Sequence, residues 1–220
     1  MLQGDRRRSE LPTVCWAAPG GGPLSSILAG ADSWRSLIGE PLASIPEYGT
    51  ILWEIIQWGC HPDNQAKFED ALHQPGGWEG WAQYEIASWI NRRFYVGANF
   101  AGPQPEREVH IYQNRPRDKA DIAVMDDGSM FLKEETVVVE LKCESWNNPK
   151  FKDDVDKDVD KIKDAVFKLP NVRAYAVALT LSEDGEEAMR DLGCMTKLVV
   201  PRDLRNFQAP FDLWYYEREP

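Results

Sequence analysis

The sequence predicts an α/β fold, a central mixed sheet flanked by helices, with a helical extension on its N-terminal side. Three observations predict it. Apolar runs of strand length alternate with longer stretches whose apolar residues recur every three or four positions. One run, Thr136 to Cys143, is apolar except for Glu140 and Lys142, as a strand covered on both faces would be. The chain has 220 residues with 43% hydrophobic and 28% charged content, enough for one sizeable domain and an appendage.

Residues 1–45 are rich in Gly, Pro and Ser, including Pro19-Gly20-Gly21-Gly22-Pro23, and read as an irregular arm. Residues 46–75 read as the helical extension. Pro46 suits a helix first turn, and Ile51, Leu52, Ile55, Ile56 and Trp58 give an apolar face. A second short helix covers Asp63 to His73, with Asp63 near its N-cap. The α/β domain, 76–220, begins at the Gly76-Gly77 break. A helix from Trp78 to Arg93 places Trp78, Trp81, Ala82, Glu85 and Trp89 on one stripe at 100° per residue. Tyr84, Ser88 and Asn91 face away, and Gln83 reads as surface.

Strands follow at Glu108 to Tyr112, Ala120 to Val124 and Thr136 to Cys143. Asp126-Asp127-Gly128 reads as a turn, with Met130-Phe131-Leu132 extending a hairpin. Asp153 to Leu169 reads as a helix with Val155, Val159, Ile162, Val166 and Phe167 inward; its Asp/Lys alternation reads as a solvated face. A strand from Arg173 to Leu181, a helix from Asp184 to Leu192, a strand from Lys197 to Val200 and an edge strand at Trp214-Tyr215-Tyr216 complete the chain. There is no internal repeat.

The formal charge is −11 and the pI about 4.8. This argues against broad non-specific nucleic-acid binding, which wants a basic surface, but a nucleic acid can still be a substrate where the local field allows. Nine tryptophans point to an aromatic core. Cys15, Cys60, Cys143 and Cys194 form no CxxC pair, and the expectation is reduced thiols in an intracellular protein of cytoplasm or nucleus. Arg6-Arg7-Arg8 has no apolar run behind it, so no secretory signal is read, and no stretch suits a membrane span. His61, His73 and His110 lack zinc-ligand spacing with the cysteines. No Gly-rich phosphate loop follows a strand, and no GxSxG elbow is present.

The chemistry gathers around Asp121 in Ala120-Asp121-Ile122-Ala123-Val124 and around Glu140-Leu141-Lys142. A strand alternates its faces, so Glu140 and Lys142 point one way while Val137, Val139, Leu141 and Cys143 point the other. A charge in an apolar run needs a partner or a task. Two carboxylates beside a lysine suit a hard divalent cation, Mg²⁺ or Mn²⁺, and a phosphodiester. Asp121 and Glu140 would hold the cation, with the carbonyl of Leu141 between them. Lys142 would act on water or on the phosphate. Glu85, set among tryptophans, would join the metal directly or through water. Each residue also has an ordinary reading: Glu140 with Lys142 as a surface pair, Asp121 capping a turn, and Glu85 paired with Arg92 or Lys142. Glu144, if the strand continues, lies on the same face as an acid supporting the site.

The order helix, three strands, helix, strand, with Glu85 on the first helix, Asp121 on one strand and Glu140-Leu141-Lys142 on the next, resembles the PD-(D/E)XK nuclease superfamily over residues 76 to 182. Ala120 stands where the literal motif has proline, and Pro116 lies five positions before Asp121. The resemblance implies a restriction-endonuclease-like αβββαβ core, a metal-dependent nuclease and a nucleic-acid substrate, DNA rather than RNA. Arg115, Arg117 and Lys119 lead directly into Asp121 and would either contact phosphates near the site or form an ordinary basic loop. The alternative is a non-catalytic protein-binding or inhibitory module whose acidic surface does the work. A homodimer or a protein partner is compatible with either reading, and no membrane partner is expected.

Overall fold

The structure, a computed structural model, describes residues 45–73, 77–95, 105–125, 136–146, 148–199 and 209–220. The expected arm (save Ile45), the Asp126-Asp127-Gly128 turn, the Met130-Phe131-Leu132 hairpin and Val200 lie outside these residues.

Three helices come first, α1 (Ile51–Cys60), α2 (Pro62–Leu72) and α3 (Glu79–Ile90), followed by a π-helical segment, Asn91–Tyr95. Strands β1 (Glu106–Val109), β2 (Ala120–Met125) and β3 (Thr136–Cys143) precede α4 (Phe151–Lys163), β4 (Val172–Thr180), α5 (Glu183–Leu192), β5 (Thr196–Lys197) and β6 (Asp212–Arg218). They form one six-stranded mixed sheet in the order β1-β2-β3-β4-β6-β5. Only β3 and β4 run parallel, with α4 in the chain between them; the other pairs are antiparallel. β6 therefore lies between β4 and the two-residue β5 and is not the outermost strand.

The period-two pattern of β3 divides the core. Val137, Val139, Leu141 and Cys143 join Tyr175, Val177 and Leu179 of β4 in a cluster completed by α1, α2 and α3. Val138 faces the other way, with Ala174, Ala176 and Ala178, toward Val155, Val159 and Ile162 of α4 and Met189 of α5. Small alanines on β4 let α4 and α5 approach closely. Of the seven described tryptophans, Trp58, Trp78 and Trp214 are buried in the core, Trp81 and Trp89 pack against it, and Trp146 is exposed. Trp58, Phe68, Trp78, Trp81 and Phe211 pack ring against ring with centroids 5.0 to 6.5 Å apart.

Helix starts differ from expectation for local reasons. α1 begins after Thr50, whose hydroxyl accepts from the backbone N–H of Trp53 at 3.3 Å, so Pro46 stands outside it. α2 begins at Pro62, with the His61 ring rather than Asp63 as its cap. α4 ends at Lys163, which leaves Val166 exposed beyond its stripe.

The carboxylate of Glu144 is drawn away from the face of Glu140. It accepts from the backbone N–H of Leu181 at 2.6 Å and of Ser182 at 3.1 Å, and from the Ser182 hydroxyl. This ties the end of β3 to the start of α5. A methyl group on Gly185 would lie 2.2 Å from Glu144 Oε2. Gly185→Ala should therefore displace an anchored carboxylate and destabilise the fold by about 1–3 kcal/mol. Gly80 has open space at the same position, so Gly80→Ala should not lower stability. Thermal melts of the two variants check this; equal melting points would mean that the Glu144 clamp gives way freely.

Candidate active site

Strand register brings the two acids together. Ile122 pairs with Val139 in the antiparallel β2–β3 ladder, which carries Asp121 opposite Glu140 on the face turned toward α4. Asp121 Oδ2 accepts the backbone N–H of Leu141 at 2.7 Å, so the acid is built into the strand junction. Glu140, 2% exposed, is fully enclosed. It pairs with Lys161 of α4 at 2.9 Å and accepts the hydroxyl of Tyr112. Lys161 also donates to the carbonyl of Lys119 at 2.7 Å and stands 4.9 Å from the centre of the Tyr112 ring. Lys142 Nζ lies 3.0 Å from Glu79 on α3, 3.3 Å from Asp158 on α4 and 3.2 Å from the carbonyl of Leu141.

Glu85 is not brought to this constellation. Its carboxylate lies 3.1 Å from Lys67 and 4.0 Å from Arg92. The position expected for it is taken by Glu79, six residues earlier and about 240° around the helix. α3 buries two faces rather than one stripe. Trp81 packs at a tilt against Trp58 and edge-to-face with Phe68, and Trp89 donates to Glu54 of α1 at 3.1 Å. Ala82, Ile86 and Ile90 join the cluster that faces the sheet. Glu85 belongs to the side turned to α2. Gln83, expected at the surface, is buried and accepts from Arg107 at 3.2 Å.

Of the basic run before β2, Arg115 lies 3.9 Å from Asp118 and 3.8 Å from Asp164, and Lys119 lies 3.6 Å from Glu108. Arg117 is exposed. Glu79, Tyr112, Asp158 and Lys161 were not singled out by the sequence pattern. Asp158 had a signal, since it stands three residues after Val155 and four before Ile162 and so belongs to the buried stripe of α4.

Four acids therefore meet two lysines. If all ionise, Glu79, Asp121, Glu140 and Asp158 exceed Lys142 and Lys161 by two negative charges (4 − 2). Burial dominates their titration. It raises Glu79 and Asp121, pushes Glu140 up to about 7 against the opposing pull of Lys161, and pushes Asp158 up to about 6 against Lys142. Burial also works to lower Lys142, but Asp158, Glu79 and Asp121 overcome it and hold the ammonium above its ordinary range. Burial, with Glu140 beside it, keeps Tyr112 protonated and available as a donor.

Such an excess calls for protons or for a cation. The donor atoms are hard carboxylate and carbonyl oxygens, the chemistry that suits Mg²⁺ or Mn²⁺. Asp121, Glu140 and the carbonyl of Leu141 are the residues that fit the role. Among the described residues, no three His, Cys, Asp or Glu side chains form a ready-made metal cage. The donor set is open, with one carboxylate from each of two strands. Comparisons with protein-family models, with characterised proteins and with solved structures find no match to this chain.

Proposed function

We propose that the chain is a divalent-metal-dependent nuclease of PD-(D/E)XK type that hydrolyses phosphodiester bonds, in DNA rather than RNA. The observation that carries this reading is the placement of Asp121 opposite Glu140, with Lys142 on the same face, in an excess of two negative charges. The element order α3-β1-β2-β3-α4-β4 adds support, being the αβββαβ order of restriction-endonuclease-like cores. When bound, Mg²⁺ or Mn²⁺ supplies a Lewis acid that polarises the phosphoryl oxygen and acidifies water. Asp121 and Glu140 fix its place, and Tyr112 and Lys161 orient Glu140. Glu79 and Asp158 hold the Lys142 ammonium where it positions the attacking water and meets the charge that grows on the phosphate. Cys60, Cys143 and Cys194 are free thiols, which fits an intracellular location. Among the described residues no helix is long and apolar enough to cross a membrane.

One observation favours a second reading, a non-catalytic binding module: Lys142 and Glu140 are already paired within the protein, as in a structural ion network. Plasmid DNA and RNA incubated with Mg²⁺, Mn²⁺ or EDTA separate the two. Metal-dependent cleavage is expected, and its absence on every substrate would leave the binding module.

The exchange of Glu85 for Glu79 is itself testable. Glu79→Gln should weaken Mn²⁺ binding several-fold, because it removes one of the four negative charges that favour a dication while Lys142 keeps its positive one. Glu85→Gln should leave Mn²⁺ affinity unchanged. Calorimetric titration measures both, and equal losses would return Glu85 to the site.

A further inference from the structure

Beyond the end of β3, Glu144, Ser145, Trp146, Asn148 and Pro149, with the first turns of α4 and α5, line an open cavity of about 440 Å³. This lies within the roughly 300–1,000 Å³ of small-ligand sites. Trp146, Asn148, Phe151, Lys152 and Asp184 are among its lining residues. Trp146 is 78% exposed, whereas Trp58, Trp78 and Trp214 are at most 1% exposed. Its indole has no hydrogen bond, ion pair or ring contact among the described residues. A bare indole on the lip of a cavity has lost the apolar burial that holds the other tryptophans in place.

The cavity adjoins the candidate active site. Trp146 follows Lys142 by four residues. The Trp78 indole N–H donates to the carbonyl of Glu144 at 2.6 Å, which fixes the segment beside the start of α3, where Glu79 meets Lys142. Asn148, in the cavity wall, accepts the backbone N–H of Lys150 at 3.1 Å. The charges around the cavity are mixed. Lys152 lines it but pairs with Asp191 of α5 at 3.1 Å, and Asp153 and Asp154 follow in the first turn of α4, whereas exposed Lys150, between the lining residues Pro149 and Phe151, has no ion pair among the described residues. Asp184 belongs to α5, and the Glu144 carboxylate is already engaged by Leu181 and Ser182.

We propose that this cavity receives an unstacked base of a single-stranded nucleic acid, with Trp146 as its stacking surface. The choice of ligand rests on the nuclease reading. Any base offers a π face to the indole, so the contact is tolerant of sequence. The phosphates pass exposed Lys150, just ahead of α4, and stay away from Asp184. In a duplex both faces of each base are stacked, and extruding a base costs a few kcal/mol. The cavity therefore favours single strands, flaps or gaps over intact duplex, which names the substrate class of the neighbouring site.

The test uses fluorescence anisotropy with end-labelled oligonucleotides of about 12 nucleotides, within the span of known single-strand sites. Single-stranded DNA, single-stranded RNA and the matching DNA duplex are titrated with the full chain, Ca²⁺ replacing Mg²⁺. Trp146→Ala should weaken single-strand binding roughly 5- to 150-fold, the range that one lost base stack gives. Trp146→Phe should recover most of the loss, and duplex binding should not change with either variant. Equal single-strand affinity in Trp146→Ala overturns the proposal, as does an equal loss on duplex or failure of the native chain to bind either single strand. A change in sedimentation without a change in oligonucleotide affinity makes Trp146 a protein contact and also overturns it. Trp146-dependent binding with no Mn²⁺-dependent cleavage leaves this site standing and ends the nuclease reading. Cleavage that ignores Trp146 does the reverse.

Discussion

Lys142→Gln should lower metal-dependent phosphodiester cleavage by about 10² or more while leaving a folded protein that still binds Mn²⁺. Glutamine is one bond shorter but keeps an N–H donor on the side of Glu79 and Asp158, without the positive charge. The lysine is no metal ligand, so what is lost is stabilisation of charge that develops only in the transition state, worth about 3 kcal/mol. Removal also leaves two half-enclosed acids with a weaker partner, so a lower melting point is expected and bound metal should offset part of it. Glu140→Ala, by contrast, should lose both metal and activity. Single-turnover cleavage and calorimetric titration on the same preparations separate these outcomes. A Lys142→Gln enzyme as fast as the native one would remove this lysine from the mechanism even if the chain proves to be a nuclease.

Without metal, the protein should become less stable as pH rises from about 4.5 to about 7. The folded state raises Glu140 from 4.5 to about 7 and Asp158 from 3.8 to about 6. A carboxyl raised on folding holds its proton when the unfolded chain has released it. Its contribution is thus complete below the unfolded value and is lost as pH climbs through the folded one. For Glu140 alone the change is on the order of 3 kcal/mol. A dication binds the ionised acids and should reverse the trend. At about 100 times Kd it adds roughly 2.7 kcal/mol, and the effective Kd falls as the acids deprotonate. The melting shift produced by Mn²⁺ should therefore be small at pH 5 and large at pH 8. Scanning calorimetry across this range, with Glu140→Gln as the variant that flattens both curves, provides the check. A shift that does not depend on pH would place the metal away from these carboxylates.

Local periodicity sufficed for β3. Its alternation placed Val137, Val139 and Leu141 on one face and Glu140 and Lys142 on the other, and the structure keeps that division. Reading α3 went wrong because one stripe was assumed where the helix has two neighbours, α1 with α2 on one side and the sheet on the other. The apolar arc is then wide enough for several glutamates to lie at its margins, and only tertiary packing decides which one reaches the strands. α4 misled in a different way. Its Asp/Lys alternation resembles a solvated surface, yet Asp158 and Lys161 lie at the edge of the buried stripe and carry their charges inward to Lys142 and Glu140. Tyr112 carried no local signal, because its value comes from an isolated bridge to Phe167 and from a partner 28 residues away in sequence.

The acids and lysines that meet here span 83 positions, from Glu79 to Lys161 (161 − 79 + 1). They sit on α3, two antiparallel strands and the helix that leads to the parallel strand β4. Pairing of that kind is slow to form, because the long loop through α4 must close before the contacts it brings can repay its entropy. The charge cluster is consequently complete only once α4 has settled onto β3. A growing chain that has completed β3 already holds Asp121, Glu140 and Lys142 but lacks the Asp158 and Lys161 that set their ionisation. Unfinished or partly opened molecules lack this balance of charge, which is a property of the closed sheet rather than of any segment within it.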